Sequence, residues 1–299
     1  MNEHYAMEPI ACESADDLRH LLKLFGPYAG RYLAEYPTDW LGRVGTWCSD
    51  WSEVEKSRVS ALLRRAKANL AVVHAGELPW SDTRNWIENA ADLKRPPKRM
   101  EEIVVARINR GQFPSVDEFD PPLTAGELVV GNAREFVRVS RTLLLESREI
   151  AFIDHFLNPC REDVFVVLRE MLREVAKGRC RRVICWARRR TITDAKHSID
   201  EVLQRLRALR VEAGYPIEKS LEFKLIDDRL PGTKTRMHAR YLLSKYGAIH
   251  FDQGFQEQGR NISVAVSVVP EAIHSAIFDT YFQDDHDMSV VDCLNVNAG

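Results

Sequence analysis

The segment Met237-His238-Ala239-Arg240-Tyr241-Leu242-Leu243-Ser244-Lys245-Tyr246-Gly247-Ala248-Ile249-His250-Phe251-Asp252-Gln253-Gly254-Phe255 decides how the chain folds. Met237 to Leu243 and Ala248 to Phe251 are apolar-rich runs on either side of Lys245-Tyr246-Gly247, the pattern of a hairpin. His238 and Arg240 stand two apart on the first predicted strand, so strand alternation puts both side chains on one face. A histidine beside a permanent cation is what a phosphodiester site needs. The imidazole can act as nucleophile or acid, and the guanidinium binds phosphoryl oxygens and stabilises charge that develops on them.

Upstream of this segment the texture is strand alternating with helix. Ile150 to Ile153 reads as a buried strand, and Arg161 to Ala176 as an amphipathic helix with Val164, Val167, Leu168, Met171 and Leu172 inward. Arg182 to Trp186 is the next strand. Asp194 can cap a helix that turns Ile199, Val202, Leu203 and Leu206 inward. Leu221 to Ile226 alternates as a further strand, Ile262 to Val269 as another, and Pro270 to Phe282 as a final helix. The pattern predicts an α/β domain over 123–299, with a mostly parallel sheet and helices on both faces. A helix from about Ala125 to Leu145 leads into it.

Residues 1–122 read as a mainly helical region of unknown role. Leu18, Leu21, Leu22 and Phe25 recur at helical spacing, and a second helix runs from about Ser52 to Val73, with Ser52 and Glu55 placed as a capping box. Trp40, Trp47, Trp51, Trp80 and Trp86 all lie here; they are core or interface residues, or else a stacking platform for bases. Lys94 to Arg99 marks a loop, Ile103 to Ala106 a short strand, and Gly111 to Pro122 a linker.

Of the 299 residues, 45% are hydrophobic and 29% charged, which is enough apolar content for a real core. The net charge of −2 excludes a generic polyanion binder, so any affinity for phosphate must come from a local patch. The six cysteines form neither a CxxC pair nor a spaced Cys/His cluster, so no metal site, cofactor or disulfide framework is expected. Met1-Asn2-Glu3-His4 opens no signal pattern, and no apolar run approaches the roughly 20 residues of a membrane span. A reduced cytoplasmic setting fits these features.

The order of elements ending in a His-x-basic strand resembles one half of a phospholipase D superfamily domain. That family's motif is His-x-Lys, four residues, Asp, six residues, then Gly-Ser or Gly-Gly and an Asn. This chain keeps His238, replaces Lys by Arg240, has Lys245 where the Asp falls, and displaces the glycine to Gly254 and the asparagine to Asn261. A closer resemblance is to bacterial single-half phospholipase D-like proteins, similar to the C-terminal domain of MIT-domain proteins. Two strings carry it, Phe152-Ile153-Asp154-His155-Phe156 and His238-Ala239-Arg240-Tyr241 followed by Gly247-Ala248-Ile249-His250-Phe251-Asp252-Gln253-Gly254-Phe255-Gln256. It covers residues from about 148 to 299 and departs at Ala239, Ala248, Asp252, Phe255 and Gln256.

The resemblance implies a degenerate phospholipase D-like protein that binds a phosphate-containing polyanion such as nucleic acid, within a bacterial multi-protein system of which phage defence is one example. Arg240 keeps bidentate phosphate binding better than it keeps catalytic geometry. Complete enzymes of the superfamily place two histidine motifs face to face, so hydrolysis through His238 requires a homodimer. The expected catalytic group is His238, Arg240 and Asp154, with Asp154 ending its strand where parallel sheets meet ligands. The expected phosphate-binding group is Arg188, Arg189, Arg190, Arg240 and Lys245. Two alternatives stay open: a metal-independent phosphodiesterase or nuclease with a histidine nucleophile, and a scaffold subunit that holds a protein partner through its N-terminal helices.

Overall fold

The computed structural model describes residues 1–74, 76–96, 98–122, 126–230, 237–238, 240–259, 262–283 and 288–296. The chain divides into two compact units, Asn2–Ala125 and Gly126–Gly299, with Met1 grouped with the second. The expected boundary at 122/123 falls three residues short of this division.

The N-terminal unit runs β1 (Glu3–Met7), α1 (Ala15–Leu22), β2 (Arg31–Ala34), α2 (Trp40–Trp47), α3 (Glu53–Ala68), β3 (Val72–Val73), α4 (Trp86–Ala91) and β4 (Glu102–Val104). Its strands form one parallel sheet in the order β3-β2-β1-β4. A mainly helical region was expected here, and the difference has a physical cause. The strands are two to five residues long, and β2 is buried along its whole length. A short strand covered on both faces shows no alternation and cannot be told from any other apolar run. The helices follow their signals better. Ser14 accepts from the Asp17 N–H, and Ser52 from the Glu55 N–H, as N-caps. The second helix stops at Ala68, before the expected Val73, because Leu70 turns into left-handed backbone at φ 61° and the chain enters β3. Trp40 and Trp86 are core residues, whereas Trp47 keeps 42% exposure.

The C-terminal unit comprises β5 (Gly126–Val130), α5 (Ala133–Glu146), β6 (Glu149–Asp154), α6 (Glu162–Lys177), β7 (Arg182–Arg188), α7 (Arg189–Thr193), α8 (Ile199–Ala213), β8 (Ser220–Asp227), β9 (Arg240–Ser244), β10 (Gly247–Phe251), β11 (Ser263–Val268), α9 (Glu271–Phe282) and β12 (Ser289–Asn295). Its eight-stranded sheet has the order β12-β8-β7-β6-β9-β10-β11-β5. Only β8, β7 and β6 run parallel to one another; every other neighbouring pair is antiparallel. The sheet is therefore mixed, not mostly parallel. The tight β9–β10 turn forces an antiparallel pair, because parallel neighbours need a crossover of a dozen residues or more. The expected helix from Ala125 starts instead at Ala133, after an edge strand, and Ala125 itself lies outside the described residues.

Alternation sorts the two faces of this sheet. Ala151, Ile153, Ile184, Trp186 and Leu243 pack with Ile277, Phe278 and Tyr281 of α9. On the opposite face Phe251 meets Phe136 of α5 edge-on, with ring centroids 5.1 Å apart.

Candidate functional site

The three parallel strands of the C-terminal sheet end together at Asp154, Arg188 and Asp227. Strand β9 runs the other way, so its first residue comes to the same edge, and Arg240 pairs in register with Asp154. Strand β10 ends there too, followed by Asp252. Mixed topology thus gathers Asp154, His155, Arg188, Asp228, Met237, Arg240 and Asp252 along one rim, although they are far apart in sequence.

Asp154 is buried, at 4% exposure. Its carboxylate accepts the Phe156 N–H at 2.8 Å and the Phe255 N–H at 3.1 Å, and Oδ1 lies 3.8 Å from Arg240 Nε. Burial pushes the carboxyl pKa up, while the two backbone donors and Arg240 pull against it. The loop after β10 closes on this carboxylate through Gly254. There φ is +74°, and a Cβ would come within 2.1 Å of Asp154 Oδ2. Arg240 is held as well: Nη1 donates to the Asp252 carbonyl, and the guanidinium lies 5.6 Å from the Phe156 ring centroid.

His155 occupies the middle of this rim, and the sequence reading gave it no role. It is 6% exposed, its ring centroid lies 6.3 Å from that of His238, and among the described residues its buried Nδ1 has no hydrogen-bond partner. Burial, then the charges of Arg188, Arg240, His238 and Arg190, push its pKa down from 6.5 to about 4. The imidazole is therefore neutral at neutral pH and keeps a lone pair. Thr191 Oγ1 donates to the His155 carbonyl at 2.6 Å and fixes the turn that carries the ring. The signal was present in the Asp154-His155-Phe156 strand end, of which only Asp154 was given a task.

The other expected residues divide. Arg188 points inward at 4% exposure, with Nε 2.7 Å from Asp228 Oδ2 and Nη2 donating to the Met237 carbonyl. It is a buried brace under the residue preceding His238, not part of an open cradle. Arg189 is exposed and lies 3.4 Å from Asp292 Oδ2, towards β12. Arg190 is half-buried and close enough to act on His155. Lys245 is exposed in the β9–β10 turn, 4.8 Å from the Tyr246 ring centroid and at the opposite end of the hairpin from Arg240, so it does not join the rim. His238 is exposed and precedes β9 instead of lying on it. Ala239 and Asn261, which carry two of the departures from the family pattern, lie outside the described residues.

Among the described residues no three His, Cys, Asp or Glu side chains converge as metal ligands, and no helix is long and apolar enough to cross a membrane. No protein-family model matches the chain, and no curated protein matches it. Among solved structures it is similar to TrmBL2, an archaeal chromatin protein whose structure is described as showing a novel mode of DNA binding. The identity is 12% and the TM-score 0.29, over 81% of this chain and 87% of that one. A likeness that distant carries no argument about fold or function.

Proposed function

We propose that the C-terminal unit is a degenerate phospholipase D-like domain that binds the phosphate backbone of a nucleic acid at the carboxyl edge of its sheet, as one component of a bacterial multi-protein system. The observation that supports this reading is His155. A buried imidazole whose Nδ1 makes no hydrogen bond among the described residues, 4.0 Å from Asp154 Oδ1 and set among Arg240, Arg190 and His238, is costly unless something completes it. A phosphate oxygen would accept from the ring nitrogen and from Arg240 while offsetting the surrounding positive charge. The test is fluorescence anisotropy of labelled single- and double-stranded oligonucleotides across a salt series. Affinity falls steeply with salt, and Arg240→Ala lowers both the affinity and the log–log slope, the latter by about one. Binding that is absent, or indifferent to salt and to Arg240→Ala, overturns it.

A second reading rests on the pairing of His155 with His238. Hydrolysis was expected to require two chains, each contributing one histidine. Here two imidazoles lie within 6.3 Å in one chain. Neutral His155 can take the proton from an attacking water while His238 gives one to the leaving oxygen, so that a new P–O bond forms as the ester bond breaks. Cleavage of a bis-aryl phosphate that persists in chelator and is lost in both His155→Ala and His238→Ala would favour this reading over binding alone.

A further inference from the structure

The N-terminal unit contains a cavity that the phosphate reading does not use. In the order β3-β2-β1-β4, the chain leaves β1 towards β2 on one side, and β4 later fills the other side. That reversal opens a crevice beyond the carboxyl ends of β1 and β4, the place where open parallel sheets receive ligands. A cavity of about 500 Å³ lies on the β1 side of it, lined by Glu8, Arg43, Thr46, Trp47, Asp50 and Trp86 among others. A second recess of about 240 Å³ adjoins the carboxyl end of β2 with Glu35, Asp39 and Trp80, and Arg43 lines both.

The lining sorts into flat apolar faces and acceptors. The Trp47 indole N–H donates to the Cys12 carbonyl at 3.1 Å, and that of Trp86 to the Tyr36 carbonyl at 3.1 Å. With both donors engaged, what the rings leave to the cavity is carbon surface, chiefly that of Trp47, which is 42% exposed where Trp86 is 9%. Glu8 follows β1 directly and is 5% exposed. Its carboxylate accepts the Ala106 N–H at 2.8 Å and the Asn109 amide at 2.7 Å, which fixes it against the end of β4. Each oxygen retains a lone pair for a hydroxyl of a bound molecule. Arg43 is already paired with Asp39 at 2.9 Å and stacked over Trp80 at 4.8 Å. Among the described lining of the larger cavity Glu8 and Asp50 outnumber Arg43, itself already paired, which favours hydroxyl donors and disfavours polyphosphate. The loop after β1, Glu8-Pro9-Ile10-Ala11-Cys12-Glu13-Ser14, contains no glycine, so no backbone cradle for a pyrophosphate forms there either.

We propose that this crevice binds a nucleoside, its planar base against Trp47 and its sugar hydroxyls on the Glu8 carboxylate. The volume lies within the roughly 300–1,000 Å³ of small-molecule sites. The site is independent of the C-terminal rim, so either reading can fail without the other.

Isothermal titration of the full chain with adenosine, guanosine, cytidine and uridine, and with AMP and ATP, tests the proposal. At least one nucleoside binds, ATP binds more weakly than adenosine, and the 2′,3′-dideoxynucleoside loses about tenfold in affinity. Trp47→Ala, a change at a partly exposed residue that leaves the core intact, weakens binding about tenfold or more. Glu8→Gln narrows the gap between nucleoside and ATP. No heat from any nucleoside to millimolar concentration, or a preference for ATP, or binding unchanged by both Trp47→Ala and removal of the sugar hydroxyls, overturns the proposal. Circular dichroism on each variant confirms that the fold is kept.

Discussion

Both units place buried carboxylates at the carboxyl ends of parallel strands, but they surround those carboxylates differently. In the N-terminal unit Glu8 is satisfied by neutral donors, the Ala106 N–H and the Asn109 amide, and Glu35 is reached by Lys67 Nζ at 2.6 Å. In the C-terminal unit Asp154 faces Arg240 and Asp228 faces Arg188, and two histidines and Arg190 stand beside them. Glu8 thus stands among neutral donors, whereas Asp154 and Asp228 stand among cations, a pattern that Glu35 shares through Lys67. Strand ends provide a place for a ligand, and the side chains around each acid decide whether that ligand is a donor of hydroxyls or an anion.

The largest expected effect comes from the Arg188–Asp228 pair, the most deeply buried ion pair on the rim, at 5% and 4% side-chain exposure. Asp228→Ala leaves a buried guanidinium without its counter-charge and should destabilise the C-terminal unit by about 3–5 kcal/mol in urea unfolding. It should also loosen the Met237 carbonyl that Arg188 holds, and with it the position of His238. Arg188→Met combined with Asp228→Leu removes both charges and should be far milder. If the single and double variants lose the same stability, Arg188 is not a brace and belongs with the ligand-facing cations.

The next effect is a pH dependence centred on His155, beside the cations of the rim. The His155 pKa is lowered from 6.5 to about 4 in the folded chain, so between those values the unfolded state takes up a proton that the folded state refuses. The stabilisation is complete above the unfolded pKa and is lost as pH falls towards 4. Between about pH 7 and about pH 5 this contributes a loss of about 2 kcal/mol, which should disappear in His155→Gln. A bound phosphate reverses the local field and raises the His155 pKa, so anion affinity should rise as pH falls through the same window. Wild type and His155→Gln with identical pH slopes, in both denaturation and binding, would mean that the imidazole is not held neutral by its surroundings.

Much of the C-terminal unit was legible because its elements are long enough to show a period. The eight-residue β8 alternates and the sixteen-residue α6 carries an amphipathic stripe, while β6 and β7 are continuous apolar runs set between helices, and all four lie where the sequence puts them. The N-terminal sheet was not legible, since β3 has two residues and β4 three, with no room for a repeat. The rim was half legible for a related reason. Sequence spacing put Arg240 and Asp154 on strands, where they pair in register, but it also treated His238 as a strand residue when the strand starts at Arg240. It read Arg188-Arg189-Arg190 as one patch because adjacency in sequence hides that Arg188 turns inward and Arg189 outward. His155 was missed because its meaning comes from long-range neighbours, the Arg240 and His238 side chains brought back by an antiparallel strand.

The smallest expected effect is the one that separates a local site from bulk charge. Lys245→Ala and Arg240→Ala each remove one positive charge from the same hairpin, so any model in which the net charge of the unit attracts nucleic acid predicts equal losses. Strand β9 separates the two residues, five positions along an extended chain and so roughly 17 Å, well beyond the screening length of about 8 Å at physiological salt. Lys245 is exposed and faces solvent at the far turn, whereas Arg240 is tied to Asp154, Asp252 and Phe156 on the rim. Lys245→Ala should therefore leave oligonucleotide affinity at physiological salt within about twofold of wild type and stability within about 0.5 kcal/mol, since an isolated surface lysine contributes little. Equal losses for the two variants would move the interaction off the rim and spread it over the whole face of the unit, and the contrast in charge between the two sets of strand ends would then no longer describe where the ligands go.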